Sequence, residues 1–155
     1  MSMKKSVFVS CAALLLLGSL HAPAVGAQDL GLRFGVSIDP DQVYFGGHVE
    51  TDPLFEELRF RPNVEIGFGN DATVVALNGE FVWPFDLQNG DSVYVGMGPA
   101  INIISFDAGP VSDTEVRAGF NFLMGYEFEE GFHAELKVGA IDSPEVKFGF
   151  GYTWR

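Results

Sequence analysis

The chain is predicted to be all-β, an eight-stranded antiparallel up-and-down transmembrane β-barrel. Three observations predict it. Apolar side chains alternate with small or polar ones through eight successive stretches, the period of two that a strand imposes. Turn-forming residues separate the stretches. Every basic residue past position 27 falls on the polar parity of a stretch.

The first stretch sets Leu30, Leu32, Phe34, Val36 and Ile38 against Gly31, Arg33, Gly35 and Ser37. In the second, Val43, Phe45, Gly47 and Val49 oppose Tyr44, Gly46, His48 and Glu50. The third alternates Leu58, Phe60, Pro62, Val64, Ile66 and Phe68 with Arg59, Arg61, Asn63, Glu65 and Gly67. The fourth sets Val75, Leu77, Phe81, Trp83 and Phe85 against Asn78 and Glu80. The fifth, 93–103, is the weakest, with Val95, Met97 and Ile101 facing Gly96, Gly98 and Asn102. The sixth is the cleanest, from Val116 through Phe120 and Phe122 to Phe128, against Glu115, Arg117, Gly119, Asn121, Gly125 and Glu127. The seventh sets Phe132, Ala134, Leu136 and Val138 against His133, Glu135, Lys137 and Gly139, and Val146 to Trp154 completes eight.

Between them lie Asp39-Pro40-Asp41, Asp52-Pro53, Gly69-Asn70-Asp71, Asn89-Gly90-Asp91, Gly109-Pro110, Glu130-Gly131 and Asp142-Ser143-Pro144, all turn chemistry. The longest connection on its side is expected over 105–113. No linker or second domain interrupts the pattern.

Residues 1–27 read as a cleaved secretory signal peptide. Lys4 and Lys5 precede an apolar core over 7–20, and Val25-Gly26-Ala27 supplies small residues for cleavage before Gln28. That core is shorter than the ~20 residues of a spanning helix. The barrel domain is then 28–155, or 128 residues (155 − 27), about 16 per strand and turn, which suits membrane strands of ~9–11 residues. It holds seven basic and 21 acidic residues, a formal charge of −14 (7 − 21), which argues against nucleic acid as a partner. The single cysteine, Cys11, lies in the signal, so no disulfide is expected.

Alternation alone does not say which face looks inward, because a soluble lipocalin-type barrel alternates too. Charge placement decides. Arg33, Arg59, Arg61, Arg117, Lys137, Lys147 and Arg155 share the polar parity with Glu50, Glu65, Glu80, Glu115, Glu127 and Glu135. On a lipid face each base would cost roughly 2–4 kcal/mol at the midplane, so this parity faces a filled lumen. Glycines on the same parity make room for large charged groups in a narrow barrel. Beyond the signal, the aromatic residues are expected on the lipid parity, with Phe55 and Phe106 as the exceptions. Counting directions from a periplasmic N-terminus, Trp83, Phe85, Tyr126, Phe128, Phe132, Tyr152 and Trp154 gather at one end as an interfacial girdle.

With these residues in view, the chain resembles the small eight-stranded outer-membrane β-barrels, the class of the OmpA transmembrane domain, OmpX and OmpW. The resemblance spans the whole of 28–155 but is architectural, so it implies fold and an outer-membrane location rather than an activity. It also implies an assembly signal in Phe148, Phe150, Tyr152 and Trp154, similar to the alternating aromatics read by barrel-assembly machinery. Arg155 departs from that pattern, which ends on an aromatic.

The expected site is therefore a lumen polar network of Arg33, His48, Glu50, Arg59, Arg61, Glu65, Glu80, Glu115, Arg117, His133, Glu135, Lys137 and Lys147. Its structural reading is a core of paired charges, since unpaired buried charge is prohibitive. Its functional reading is a narrow channel for small or apolar solutes. No catalytic site, cofactor or resident metal is expected. Barrels that deacylate lipid A use a lipid-facing His and Ser, whereas His48 and His133 face inward with Glu50 and Glu135 beside them. The acidic turn residues Asp39, Asp41, Asp71, Asp107, Asp113, Asp142 and Glu145 lack an ordered ligand spacing for Ca²⁺ or Mg²⁺ and read as solubilising charge. The expected partners are outer-membrane lipid, lipopolysaccharide and the assembly machinery, with the barrel a monomer in the bacterial outer membrane.

Overall fold

A computed structural model describes residues 28–155 apart from 71, 109 and 110, with side chains described outside 107–112. The expected signal segment, residues 1–27, lies outside the described residues, as do Asp71, Gly109, Pro110 and the side chain of Asp107. Eight strands run in chain order: β1 (Asp29–Ile38), β2 (Gln42–Glu50), β3 (Arg59–Phe68), β4 (Ala72–Asp86), β5 (Ser92–Ala108), β6 (Val111–Glu127), β7 (Phe132–Ala140) and β8 (Val146–Trp154). Each pairs antiparallel with its neighbours in sequence. β8 returns to β1, from Leu30 opposite Trp154 to Ile38 opposite Val146, and closes the barrel.

Closure removes the free edges that would leave backbone N–H and C=O groups unpaired in lipid. Two turns at one end, 87–91 and 128–131, use glycine in the left-handed conformation, with φ of 88° at Gly90 and 94° at Gly131. Gly90 N–H donates to Leu87 C=O, and Gly131 N–H to Phe128 C=O. The β4–β5 ladder skips from Asn78–Ala100 to Phe81–Met97, leaving out two rungs beside Pro99, which has no N–H to donate.

The barrel is apolar outside and polar inside. Leu32, Phe34, Phe45, Phe68, Met97, Phe122, Met124 and Phe150 are exposed on its wall, while Arg33, Arg61, Glu65, Glu80, Lys137 and Lys147 are buried. In water this arrangement would forfeit the hydrophobic driving force; in a bilayer the wall meets hydrocarbon. At the end carrying the Gly90 and Gly131 turns, aromatic rings meet edge-on: Phe132–Tyr152 at 4.8 Å, Tyr126–Phe128 at 5.0 Å and Tyr152–Trp154 at 5.3 Å.

Three expectations need correction. Tyr44, which the alternation sets among the polar positions, and Tyr94 are further exceptions to the aromatic wall; both point into the lumen and are buried. Glycine opposite makes the space, since a Cβ on Gly125 would lie 2.2 Å from Tyr94 Cζ and one on Gly149 would lie 2.3 Å from the Tyr44 hydroxyl. Glu115 and Arg117 keep the inward parity but stand exposed. The 105–113 connection is strand for most of its length, because β5 and β6 pair rung by rung out to Ala108–Val111. This hairpin rises beyond β7 and so carries Glu115 and Arg117 out of the lumen.

Candidate functional site: an ion-paired lumen

Seven of the eight strands contribute a charged side chain, and β5 the Tyr94 phenol, to one connected network inside the barrel. β3 supplies Arg61 and Glu65, four residues apart on the same face, with Arg59 at the strand's start. β7 supplies His133, Glu135 and Lys137 at two-residue spacing, also on one face. Strict alternation aims each set at the axis, and flanking glycines on β1, β6 and β8 give the longer side chains room.

Glu65 is the hub of one half. Its carboxylate accepts from Arg33 Nη1 at 3.3 Å, Lys137 Nζ at 3.0 Å and Lys147 Nζ at 2.7 Å. Lys137 also pairs with Glu80, and Arg33 Nη1 lies 3.6 Å from Glu80 and 3.4 Å from Glu135. Lys147 Nζ sits 5.0 Å from the centre of the Tyr44 ring, a cation–π contact.

Arg61 is the hub of the other half. It makes a two-point contact with Glu50, lies 3.5 Å from Glu127 and 3.7 Å from Glu135, and stacks over Tyr94 at 4.7 Å. Tyr94 O–H donates to Glu135 at 2.8 Å, linking the two hubs. Arg59 donates to the second Glu50 oxygen at 2.7 Å. Arg155 closes this end: it pairs with Glu127 and lies 3.8 Å from Asp29 and 3.9 Å from Glu50. Between these groups there remains a cavity of about 10 Å³, lined by Arg59, Tyr94 and Arg155 among others and no larger than one water. A neutral relay continues the packing, with Asn121 Nδ2 donating to Asn78 at 3.0 Å and Asn78 Nδ2 to Asn63 at 2.7 Å.

The two histidines straddle the seam where β1 meets β8. His48 on β2 leans across Gly31 to bring Nε2 within 3.0 Å of Thr153 Oγ1. His133 on β7 leans across Gly151, and the two rings meet edge-on at 5.5 Å. A Cβ at Gly31 would lie 2.1 Å from the His48 ring, and one at Gly151 would lie 2.4 Å from the His133 ring. Both imidazoles therefore occupy space that only glycine leaves free.

Eleven of the thirteen expected network residues thus meet inside the barrel or at its mouth: Arg33, His48, Glu50, Arg59, Arg61, Glu65, Glu80, His133, Glu135, Lys137 and Lys147. Glu115 and Arg117 do not; they pair with each other at 2.5 Å on the exposed part of β6. Sequence reasoning placed Glu127 on the right parity but left it out of the site. It also missed Tyr44, Tyr94, Thr153 and the Asn63–Asn78–Asn121 relay. Their parity alone was the available signal. Among the described residues, no group of three or more His, Cys, Asp or Glu side chains is arranged to hold a metal ion.

An antiparallel barrel with an apolar wall and a lumen of buried ion pairs is a membrane-spanning β-barrel, of the eight-stranded kind found in bacterial outer membranes. No family model and no curated protein matches the chain in sequence. Among solved structures it is similar to Neisserial surface protein A, at TM-score 0.65 and 13% identity over 81% of this chain and 94% of that one. It is similar to the N-terminal β-barrel domain of Pseudomonas aeruginosa OprF at TM-score 0.65 and 14% identity, covering 82% and 96% of the two chains. The Yersinia pestis attachment invasion locus protein Ail aligns at TM-score 0.55 and 13% identity, covering 82% and 96%. At these identities the likeness is one of fold.

Proposed function

We propose that the protein is an integral, non-conducting barrel of the bacterial outer membrane, with a structural or interaction role rather than a transport or catalytic one. The observation that carries this reading is the lumen itself. Arg61, Glu65, Glu80 and Lys137 are each at most 2% exposed and each is held by an opposite charge, so an ion path would need several buried pairs to separate at once. His48 and His133 serve as packing and hydrogen-bonding groups over the closing seam. The end carrying the Gly90 and Gly131 turns faces the periplasm and the β5–β6 hairpin faces outward, with lipopolysaccharide around the outer rim. The aromatic run of β8 serves the assembly machinery, and the barrel works as a monomer.

Planar-bilayer recording of the refolded protein tests the reading. No stepwise current is expected. Reproducible salt-dependent steps, altered by Arg59→Ala, would reverse it in favour of a narrow channel. A heat-modifiable shift on gels of the membrane fraction is expected alongside, as for any intact barrel.

A further inference from the structure

β6 has an unpartnered edge. It pairs with β5 over its whole length, but with β7 only from Phe120 to Glu127. The ladder stops there because β7 ends at Ala140, and Ile141 and Asp142 turn aside with left-handed φ of 58° and 44°. Asn102 Nδ2 holds the departing chain by donating to Asp142 C=O at 2.9 Å. From Asp113 to Ala118 every residue of β6 is exposed, and among the described residues none of these six has a strand partner on the β7 side.

Six residues of strand present about 20 Å of backbone, with alternate N–H and C=O groups free to pair. Proteins usually blunt such an edge with proline, a bulge or lysine. Here 113–118 contains neither proline nor lysine, and its one base, Arg117, is neutralised by Glu115. Two of the most exposed aliphatic side chains, Val116 at 68% and Ile141 at 75%, lie on the edge and at its foot. The surroundings are acidic: Asp39, Asp41, Asp113, Asp142 and Glu145 share this end of the barrel.

We propose that the 113–118 edge of β6 is a strand-addition site that accepts an extended, basic polypeptide segment of another protein. Backbone pairing supplies the affinity, Val116 and Ile141 receive apolar side chains, and the acidic rim selects lysine or arginine on the incoming strand. A second copy of this chain is the poorer occupant, because it would bring one acidic rim against another. The site is independent of the lumen reading, since Val116 and the free backbone lie outside the ion-paired network.

The test uses the full barrel in lipid nanodiscs and a synthetic peptide of alternating lysine and valine, followed by fluorescence anisotropy and by hydrogen exchange. Binding is expected, with exchange at alternate amides of 113–118 slowed about tenfold or more. Methylation of the peptide backbone nitrogens is expected to abolish binding. The double change Asp113→Lys and Glu115→Lys is expected to weaken it about tenfold. The heat-modifiable shift shows that the variant is folded. No binding, binding that survives backbone methylation, or binding without protection of β6 each overturns the proposal. Peptide-independent dimers with protected 113–118 amides overturn it in favour of a second copy.

Discussion

Replacing Glu65 with glutamine removes the carboxylate that holds three buried cations, and the cost follows from what each cation keeps. Arg33 retains Glu80 at 3.6 Å and Glu135 at 3.4 Å, and Lys137 retains Glu80. Lys147 is different: among the described residues its one ion pair is with Glu65, at 2.7 Å. Glu65→Gln therefore strands one buried ammonium, and breaking a buried pair in this one-sided way costs about 3–5 kcal/mol. The mirror change, Lys147→Met, leaves Glu65 with two cations and should cost less. Joining the two should recover about 2 kcal/mol relative to the sum of the single changes, because the stranded charge is gone. Urea unfolding in lipid vesicles, read from the fluorescence of Trp83 and Trp154, measures all four corners of the cycle. A Glu65→Gln protein within about 1 kcal/mol of the parent would refute the hub role, and so would strictly additive single changes.

Other parts of the barrel give equally direct tests. Gly125→Ala places a methyl 2.2 Å from the Tyr94 ring and should destabilise by about 1–3 kcal/mol, with Tyr94→Leu restoring most of the loss in the same unfolding assay. Asp91, in the β4–β5 turn, is held below the ordinary carboxylate range by the Tyr126 hydroxyl at 2.5 Å and the Glu129 amide at 3.0 Å. A depressed carboxyl stabilises above its unfolded value and loses that contribution as pH falls through the folded one, so turn-amide protection should drop in acid, and Asp91→Asn should abolish the pH dependence. Truncation after Thr153 removes the Leu30–Trp154 rung and the Arg155–Glu127 pair; a reduced fraction of heat-modifiable protein in the membrane is expected, and a normal fraction would refute a role for these residues in assembly.

The network also shows why a small barrel tolerates so much buried charge. Each full-length cation is flanked by at least one carboxylate within 4 Å, and Tyr44 and Tyr94 cover Lys147 and Arg61 with ring faces instead of methyl groups. A core of this kind contributes less to net stability than an apolar one of equal volume, because desolvation offsets most of the Coulomb attraction. What it secures is sealing and register: a one-residue slip of β3 would turn Arg61 and Glu65 to lipid together, take Lys147 from its ion-pair partner and leave Glu50 with Arg155 alone.

Sequence by itself determined the strand count, the turns and the orientation of the wall. These follow from local rules: a period of two assigns each side chain to a face, and the cost of a cation in hydrocarbon decides which face is inside. Arg33, Arg61, Lys137 and Lys147 were legible as lumen residues for that reason. Tertiary structure alone decided which charge meets which. Arg33 and Glu135 are 102 residues apart, and Lys147 and Glu65 82 apart, so their meeting depends on strand stagger around a closed barrel and not on spacing along the chain. The same stagger lifted Glu115 and Arg117 above the lumen, because β6 outruns β7 by eight residues that no local pattern separates from the rest. It also drew Tyr44 and Tyr94 inward, where glycines on neighbouring strands leave them space that is visible only once the register is known.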